Sequence, residues 1–206
     1  MKNKILASVS ELYLKYGVRS VSMDDVAHAM SISKKTIYQY FTDKNDLVCQ
    51  VTAMVLKQRQ QEYDQITANA SNALDELFRM SGCLRAHFKE LNPSLMYDLQ
   101  KYHHEAWGLF LKHEQEVVYH SIIDNLERGI KEGFFRPEID VNVLARLRVE
   151  EIHLSFEERV YPTKKFEFTE VQMQLYDHFV HGLLTDSGYE MYKKYQSEDE
   201  KSYVQY

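Results

Sequence analysis

The chain has 206 residues, 44% of them apolar and 13% aromatic, which is enough apolar material for a sizeable core in one or two domains. Only seven glycines and three prolines interrupt it, and this scarcity favours long helices with few turns. The formal net charge of −6 excludes a protein that is basic over its whole surface, but not one with a local basic patch. The composition is that of a folded, helix-rich protein and not of a disordered chain.

Charge is distributed unevenly along the chain. Residues 1–48 contain seven Lys or Arg against five Asp or Glu, a balance of +2, whereas residues 49–206 carry a balance of −8. A small, mildly basic segment therefore precedes a larger acidic body. We predict two domains, residues 1–48 and residues 49–206.

The cysteines and the apolar runs indicate the compartment. Cys49 and Cys83 match neither a disulfide framework nor a metal spacing, and we interpret them as reduced thiols. No run of 18 apolar residues exists, and the residues after Met1 form an amphipathic pattern unlike a signal peptide. The sequence predicts a soluble, cytoplasmic protein without a membrane segment.

Two helices are predicted at the start of the chain. The first has one apolar face, formed by Ile5, Val9, Leu12, Tyr13 and Tyr16. Gly17 is expected to end it. Ser22 is a good N-cap for a short second helix, and Asp24 and Asp25 suit the positive end of its dipole.

A third helix follows after a tight turn. Ser33 can cap a helix over residues 34–40, so residues 30–33 are left for the turn. Two short helices joined in this way form a helix-turn-helix. Ile37 and Phe41 are expected to face the core, whereas the exposed positions carry groups that suit base edges and phosphates. Those exposed residues are Lys34, Lys35, Thr36, Gln39 and Tyr40.

Residues 43–46 are predicted to cap a fourth, longer helix that runs through Val51 to Val55. Lys44 lies at its start. A cation there is unfavourable for the helix dipole but useful beside a phosphate.

Many of these residues together form a family pattern. They are Ile5-Leu6, Leu12-Tyr13, Tyr16-Gly17, Val21 to Ala27, Ser33 to Phe41 and Lys44 to Leu47. The pattern resembles the DNA-binding domain of the tetracycline-repressor (TetR/AcrR) family of bacterial transcriptional regulators. The resemblance covers residues 1–48. The remainder is similar to the family only in size and helical character.

The resemblance implies a role for individual residues. Phosphate contacts fall to Ser22 or Met23, Ser33, Tyr38, Tyr40 and Lys44. Base reading falls to Lys34, Lys35, Thr36 and Gln39. Alternatively, Tyr38 is a packed aromatic residue and Lys44 is a solvated lysine at a helix start, while both serines cap helices in either case.

The chain departs from the family pattern at two positions. Ser31 occupies a turn position that is commonly glycine, and a left-handed backbone there would cost about 1 kcal/mol. Lys35 replaces a residue that is often glycine near the start of the recognition helix. Lys35 offers a flexible cation to guanine or to a phosphate in place of a close backbone approach.

The body is predicted to be helical as well. Helices are expected over residues 73–91, 94–102, 107–131 (one or two helices), 141–160 and 169–186. Asp140 and Thr169 are the expected caps of the last two, and residues 193–201 are expected to be a frayed tail. The predicted fold class is all-α, with an N-terminal three-helix helix-turn-helix domain followed by an all-helical ligand-binding and dimerisation domain.

The last two strong helices are candidates for a dimer interface. The resemblance implies that such a pair meets its symmetry mate in a four-helix bundle. The residues assigned to this interface are Val149, Ile152, Val171, Leu175, Phe179 and Leu183. The same stripe could equally be buried against its own domain.

Aromatic residues and methionines are abundant in the middle helices. A pocket lined by them would accept a bulky apolar or aromatic ligand. The candidate lining residues are Met54, Phe78, Phe88, Met96, Tyr97, Tyr102, Trp107, Phe110, Tyr119 and Phe156. Each could instead be an ordinary core residue.

A metal-binding protein and a hydrolytic enzyme have less support in the sequence. The nine histidines include a pair with i,i+3 spacing, His178 and His181, and a group around His103, but no third ligand is placed by the sequence. We therefore predict neither a metal site nor a cofactor. Hydrolase and phosphate-loop motifs are absent from the sequence, which argues against an enzyme.

The predicted function is a homodimeric regulator of transcription. It would repress by binding a palindromic double-stranded DNA operator, and release it when a small apolar or aromatic effector binds the C-terminal domain. The alternatives are a helical protein-binding module that does not read DNA and an all-α metal-dependent enzyme.

Overall fold

Helices make up the regular structure of the chain. The computed structural model describes the backbone of residues 1–203 and the side chains of residues 1–197, and this part contains no β-strand. None of its helices is long and apolar enough to span a bilayer. The all-α prediction is confirmed. The helices are α1 (Lys2–Tyr16), α2 (Met23–Ala29), α3 (Lys34–Tyr38), α4 (Lys44–Asn69), α5 (Ala73–Glu90), α6 (Ser94–Tyr102), α7 (His104–His113), a π-helical segment (Glu114–Val118), α8 (Tyr119–Lys131), α9 (Val141–Leu154), α10 (Phe168–Leu183) and α11 (Asp186–Tyr203).

The chain divides into two compact units. The first unit contains Met1–Glu62 and Lys89–Glu114, and the second contains Tyr63–Phe88 and the residues from Gln115 onward. The predicted boundary after residue 48 lies inside α4, which is continuous from Lys44 to Asn69. The first unit therefore includes α6 and α7 in addition to the predicted N-terminal domain.

The helix-turn-helix is built on a small core within the first unit. Its fully buried side chains come from α1, α2, α3 and α4 and the loops between them. They are Ile5, Val9, Val18, Val26, Ile37, Phe41, Leu47 and Val48. Burial of Ile37 and Phe41, as predicted, fixes which face of α3 remains exposed.

Local hydrogen bonds set the starts of α2, α3 and α4. Asp25 donates its N–H to Ser22 Oγ, and the Asp25 carboxylate accepts the Ser22 N–H at 2.8 Å, which completes a capping box. The Ser22 hydroxyl also donates to the Asp25 carboxylate, at 2.6 Å, and this bond and the one from the Ser22 N–H lower the pKa of Asp25. Ser33 Oγ accepts the Thr36 N–H at 3.0 Å, and Asp43 Oδ1 accepts the Asp46 N–H at 2.8 Å. The predicted caps at Ser22, Ser33 and Asp43 are confirmed.

The turn between α2 and α3 is a Schellman motif. Ile32 donates its N–H to the Ala27 carbonyl at 3.0 Å, and Ser31 donates to the His28 carbonyl at 3.1 Å. Ser31 takes the position that glycine usually fills, with φ at 55°. The backbone at Ser31 is thus left-handed, the case for which a cost was expected, and the strain is kept because both hydrogen bonds depend on it.

The second unit has a core of its own. Its most deeply buried apolar residues are Ala73, Leu74, Leu126, Phe135, Ala145, Val180 and Leu183. Tyr176, buried on α10, donates its hydroxyl to the Leu77 carbonyl at 2.8 Å, and α9 packs against α8 and α10. The core thus joins α5, α8, α9 and α10.

The predicted bounds of the last helices were wrong in three places. α9 ends at Leu154 and not at residue 160. α10 is capped by Glu167, which accepts the Glu170 N–H at 2.7 Å, and not by Thr169. α10 ends at Leu183 and not at residue 186. There the Arg136 N–H donates to the Leu183 carbonyl at 2.8 Å, and the Thr185 N–H donates to the Phe134 carbonyl at 2.9 Å.

The predicted frayed tail is also helical where the structure describes it. α11 runs from Asp186 to Tyr203. Two of its tyrosines hold it in place, since the ring centroids of Tyr192 and Tyr195 lie 6.2 and 5.7 Å from that of Phe78. The tail was predicted to be frayed because most of its residues are polar, and its composition did not indicate the contact with Phe78.

The strain at Ser31 gives a test of the turn. Ser31→Gly should raise the free energy of unfolding by up to about 1 kcal/mol because glycine adopts positive φ without a steric cost. Ser20→Gly is the matched control: Ser20 is exposed and lacks positive φ, so glycine there should lower stability. Urea denaturation of both variants measures the difference. Equal effects of the two substitutions would contradict a strained backbone at Ser31.

Candidate nucleic-acid interface

The outer face of α3 is polar and exposed. Lys34, Lys35 and Gln39 are exposed, and Lys35 and Gln39 are one helical turn apart. The rings of Tyr38 and Tyr40 are 46% and 39% exposed, which shows that Tyr38 is not a packed core residue. The structure therefore brings five of the predicted DNA-binding side chains to the surface of one short helix and its C-terminal end.

Two of the predicted base-reading side chains also have structural contacts. The Lys34 ammonium lies 2.9 Å from the Asp24 carboxylate on α2, and this contact raises the pKa of Lys34. Thr36 is half-buried, and its hydroxyl lies 2.8 Å from the Ser33 hydroxyl. Lys35 and Gln39 are consequently the side chains best placed to meet a base edge.

At the start of α2, the Ser22 N–H and hydroxyl both donate to the Asp25 carboxylate, at 2.8 and 2.6 Å. Ser22 is exposed, but the Met23 side chain is only 7% exposed and packs in the core. At Met23, therefore, only the backbone N–H and not the side chain can meet a phosphate.

The Lys44 side chain is half-buried and is not the solvated lysine that the alternative interpretation described. Its ammonium donates to the Val18 carbonyl at 2.8 Å. Burial lowers the pKa of Lys44, while the nearby carboxylates of Asp98 and Asp25 oppose this shift. An ammonium has three N–H donors, so the bond to Val18 does not exclude a phosphate contact. Lys44 thus fixes the loop after α1, whatever else it binds.

Sequence analysis missed the residues that anchor the N-terminal helices to α6. The buried Asp98 carboxylate accepts the Arg19 N–H at 2.9 Å. Asn92, just before α6, donates its N–H to the Leu14 carbonyl at 2.8 Å and its side-chain amide to the Lys15 carbonyl at 3.1 Å. A signal was available for Asp98, since a carboxylate among buried apolar residues of an amphipathic helix needs a partner.

The residues predicted to line a ligand pocket are distributed over both units. Met54, Met96, Tyr97, Tyr102, Trp107 and Phe110 belong to the first unit, and Phe78, Phe88, Tyr119 and Phe156 belong to the second. Tyr97 and Tyr102 are 53% and 40% exposed, and we remove them from the proposed pocket. Phe78 packs in the core of the second unit.

Half of the predicted dimer residues are buried within the single chain. Val171, Phe179 and Leu183 lie in the core of the second unit, so they fill their own domain, as the alternative interpretation held. Val149, Ile152 and Leu175 are half-buried. Three other apolar side chains on α9 remain on the surface, namely Val143 (59% exposed), Leu147 (49%) and Leu154 (37%).

The histidines have ordinary polar contacts. His103 Nδ1 lies 2.7 Å from Asn45 Oδ1, and His181 Nδ1 lies 3.3 Å from Asp177. Burial lowers the pKa of His103. Within the described residues, the histidines considered as ligands from the sequence do not form a group of three ligand-bearing side chains.

Comparison with known proteins also identifies a DNA-binding domain at the start of the chain. Residues 5–51 match the family described as bacterial regulatory proteins, tetR family. The HTH-type transcriptional regulator YvaF of Bacillus subtilis is 34% identical over 122 residues, which cover 57% of this chain and 64% of that regulator. The match thus spans just under two thirds of that relative.

A second relative and a solved structure extend the similarity beyond the N-terminal helices. The HTH-type transcriptional repressor KstR2 of Mycobacterium tuberculosis is 22% identical over 151 residues, covering 70% of this chain and 74% of the repressor. A TetR-family regulator from Agrobacterium tumefaciens superposes with a TM-score of 0.72 at 17% identity, over 89% of this chain and 97% of that one. At this identity the superposition shows the fold, and the relatives are described as regulators. Residues 5–51 thus belong to the tetR family of bacterial regulatory proteins, and the chain has the fold of a TetR-family regulator.

Proposed function

We propose that the protein is a DNA-binding repressor of transcription that acts as a homodimer and responds to a small molecule. The observation that carries this proposal is the face of α3, where Lys35, Gln39 and Tyr40 are exposed while Ile37 is fully buried beneath them. A rigid, capped helix with long polar side chains outward is suited to the major groove. Family membership supports the same activity.

Roles within the interface follow from contacts and exposure. Lys35 and Gln39 read bases, with Lys34 and Thr36 beside them. Ser22, Ser33, Tyr38 and Tyr40 contact phosphates, because they are exposed around the helix starts and the end of α3. Lys44 adds a phosphate contact only with the donors that its bond to Val18 leaves.

The effector site is proposed on the aromatic residues of the second unit. The Phe168 ring centroid lies 4.6 Å from that of Phe156 and 5.6 Å from that of Phe88. Gln172, one turn further along α10, is fully buried. This surrounding supports a ligand that is largely apolar or aromatic.

One polar feature of the ligand can also be inferred. The Ser155 hydroxyl donates to the Ile152 carbonyl at 2.7 Å, so its oxygen accepts a hydrogen bond from Gln172 Nε2. This fixes the orientation of the amide and leaves Gln172 Oε1 buried without a partner among the described residues. An unpaired buried acceptor costs about 1–3 kcal/mol. An N–H or O–H donor on the effector would remove that cost.

Coupling to DNA would pass through α6. The bonds from Asp98 and Asn92 connect α6 to the main chain at the end of α1, within the first unit. A change in the position of α6 would therefore move the recognition helix of the same unit. If an effector binds more tightly to the state in which the helices have moved, it draws the dimer away from its two half-sites. The loss of operator affinity is set by the ratio of the effector affinities of the moved and the DNA-binding states.

The dimer interface is proposed on the exposed side of α9. Val143, Leu147 and Leu154 share one helix face because they are separated by four and seven residues. Val149, Ile152 and Leu175 are half-buried and can contribute at the edges. A two-fold axis on this face would present the recognition helices to a near-palindromic site.

The division of roles on α3 can be tested with three variants. Gln39→Ala and Lys35→Ala should change the preferred base at one or two positions and cost about 1–3 kcal/mol on the best site. Tyr38→Phe, which removes only a hydroxyl assigned to phosphate, should weaken all duplexes by a common factor. Binding to a panel of single-base operator variants measures both effects. If Gln39→Ala weakens every duplex equally, the residue does not read bases.

The dimer face can be tested by charge insertion. Leu147→Asp would place an unpaired carboxylate in the proposed interface, where it costs about 3–5 kcal/mol, so dimer dissociation should increase by more than about 100-fold. Leu109→Asp is the matched control, since Leu109 is an exposed leucine (38%) on α7. Light scattering across a dilution series reports the mass. Two variants that dimerise alike would place the interface elsewhere.

A further inference from the structure

A group of cations and tyrosines lies at the C-terminal end of α6, outside the helix-turn-helix. It consists of Arg19, Tyr97, Lys101 and Tyr102, and we name it the α6 cation–tyrosine cluster. The Lys101 ammonium lies 2.5 Å from the Tyr97 hydroxyl and 5.4 Å from the centroid of the Tyr102 ring. The Arg19 guanidinium lies 5.2 Å from the same centroid and donates to the Tyr102 hydroxyl at 3.3 Å. Both cations are thus held against one exposed ring.

The positive charge of the cluster is not neutralised by a paired acid. In the part of the chain that the structure describes, the side chains of Arg19 and Lys101 contact tyrosines and not carboxylates. Asp98, also on α6, is buried and accepts the backbone N–H of Arg19. The hydrogen bond to Tyr97 raises the pKa of Lys101. Two exposed charges therefore stand unpaired on a chain whose net charge is −6.

The cluster is close in sequence to a proposed phosphate contact. Arg19 precedes Ser22 by three residues, so their Cα atoms are at most about 11 Å apart even in a fully extended chain. Val18, its neighbour, accepts the hydrogen bond from Lys44 at the start of α4. The two cations thus lie beside the same ends of α2 and α4 that carry the proposed phosphate contacts.

We propose that the α6 cation–tyrosine cluster binds the phosphate backbone of DNA and extends the interface beyond the helix-turn-helix. This inference rests on the proposed DNA-binding function. When an unpaired cation of the protein neutralises a phosphate, the DNA releases a counterion. This release adds affinity that does not depend on the base sequence. Tyr102 is a positioning residue: it orders both side chains in the free protein and so reduces the entropy lost on binding. The helix that holds the N-terminal helices in place then contacts DNA as well.

The test is the salt dependence of DNA binding by the full chain. Arg19→Gln, Lys101→Gln and the double variant are compared with Lys57→Gln, which removes an equally exposed charge from α4 of the same unit. Each lost phosphate contact should reduce the slope of log affinity against log salt by about 0.9 per protomer. Between about 50 and 200 mM salt, the loss of affinity would then be about 3-fold smaller per contact. The operator and a random duplex should show the same change.

Two further variants test the positioning role. Tyr102→Leu removes the ring that holds both cations and should flatten the slope, whereas Tyr102→Phe keeps the ring and should stay close to the wild-type slope. Ethylation interference should show that the double variant loses sensitivity at specific phosphates while base preference is unchanged. Such a loss also separates a DNA contact from an effect on folding.

The outcomes separate this proposal from the one on which it depends. If the cluster variants bind DNA with the slope of Lys57→Gln, the cluster does not contact phosphate, although the DNA-binding function stands. If Arg19→Gln and Lys101→Gln flatten the salt slope but Tyr102→Leu leaves it unchanged, Tyr102 does not position the cations. If the wild-type protein binds no duplex at any salt concentration, both proposals are contradicted.

Discussion

The main chain of residues 17–19 is the point at which α1, α4 and α6 are joined. Gly17 ends α1 with φ at 78°, and a Cβ atom there would lie 2.6 Å from Ser94 Oγ at the start of α6. The next two residues bind in turn to Lys44 on α4 and to Asp98 on α6. A side chain at position 17 would have to displace the Ser94 hydroxyl and to adopt a positive φ that L-residues rarely take. The path of the chain from α1 into this loop therefore depends on a backbone conformation that glycine adopts without strain.

The remainder of the interface follows from that junction. With the loop fixed, the capping box at Ser22 begins α2, and the turn at Ser31 directs α3 so that Ile37 is buried. α3 has only five residues and could not persist alone. Its polar side chains are presented by the core beneath them and not by helix propensity. The α6 cation–tyrosine cluster is adjacent to this junction, so α6 can influence both the position and the charge of the DNA-binding surface.

Short-range features were predictable from the sequence, whereas contacts between distant segments were not. Ser22, Ser33 and Asp140 each cap a helix through a backbone N–H three residues away, and such a signal is contained in the local sequence. The bonds from Asp98 to Arg19 and from Lys44 to Val18 join residues 79 and 26 positions apart. Periodicity likewise identified the stripe with Phe179 and Leu183 but could not say whether the stripe faces its own core or a second chain.

The central claim is that this chain reads a specific double-stranded DNA sequence as a dimer. The most direct test is selection from a random duplex pool by the purified protein at low and moderate salt. The account predicts enrichment of a near-palindromic motif whose binding weakens steeply as salt rises. Enrichment of no sequence by a correctly folded protein, from which bound small molecules have been removed by denaturation and refolding, would contradict it.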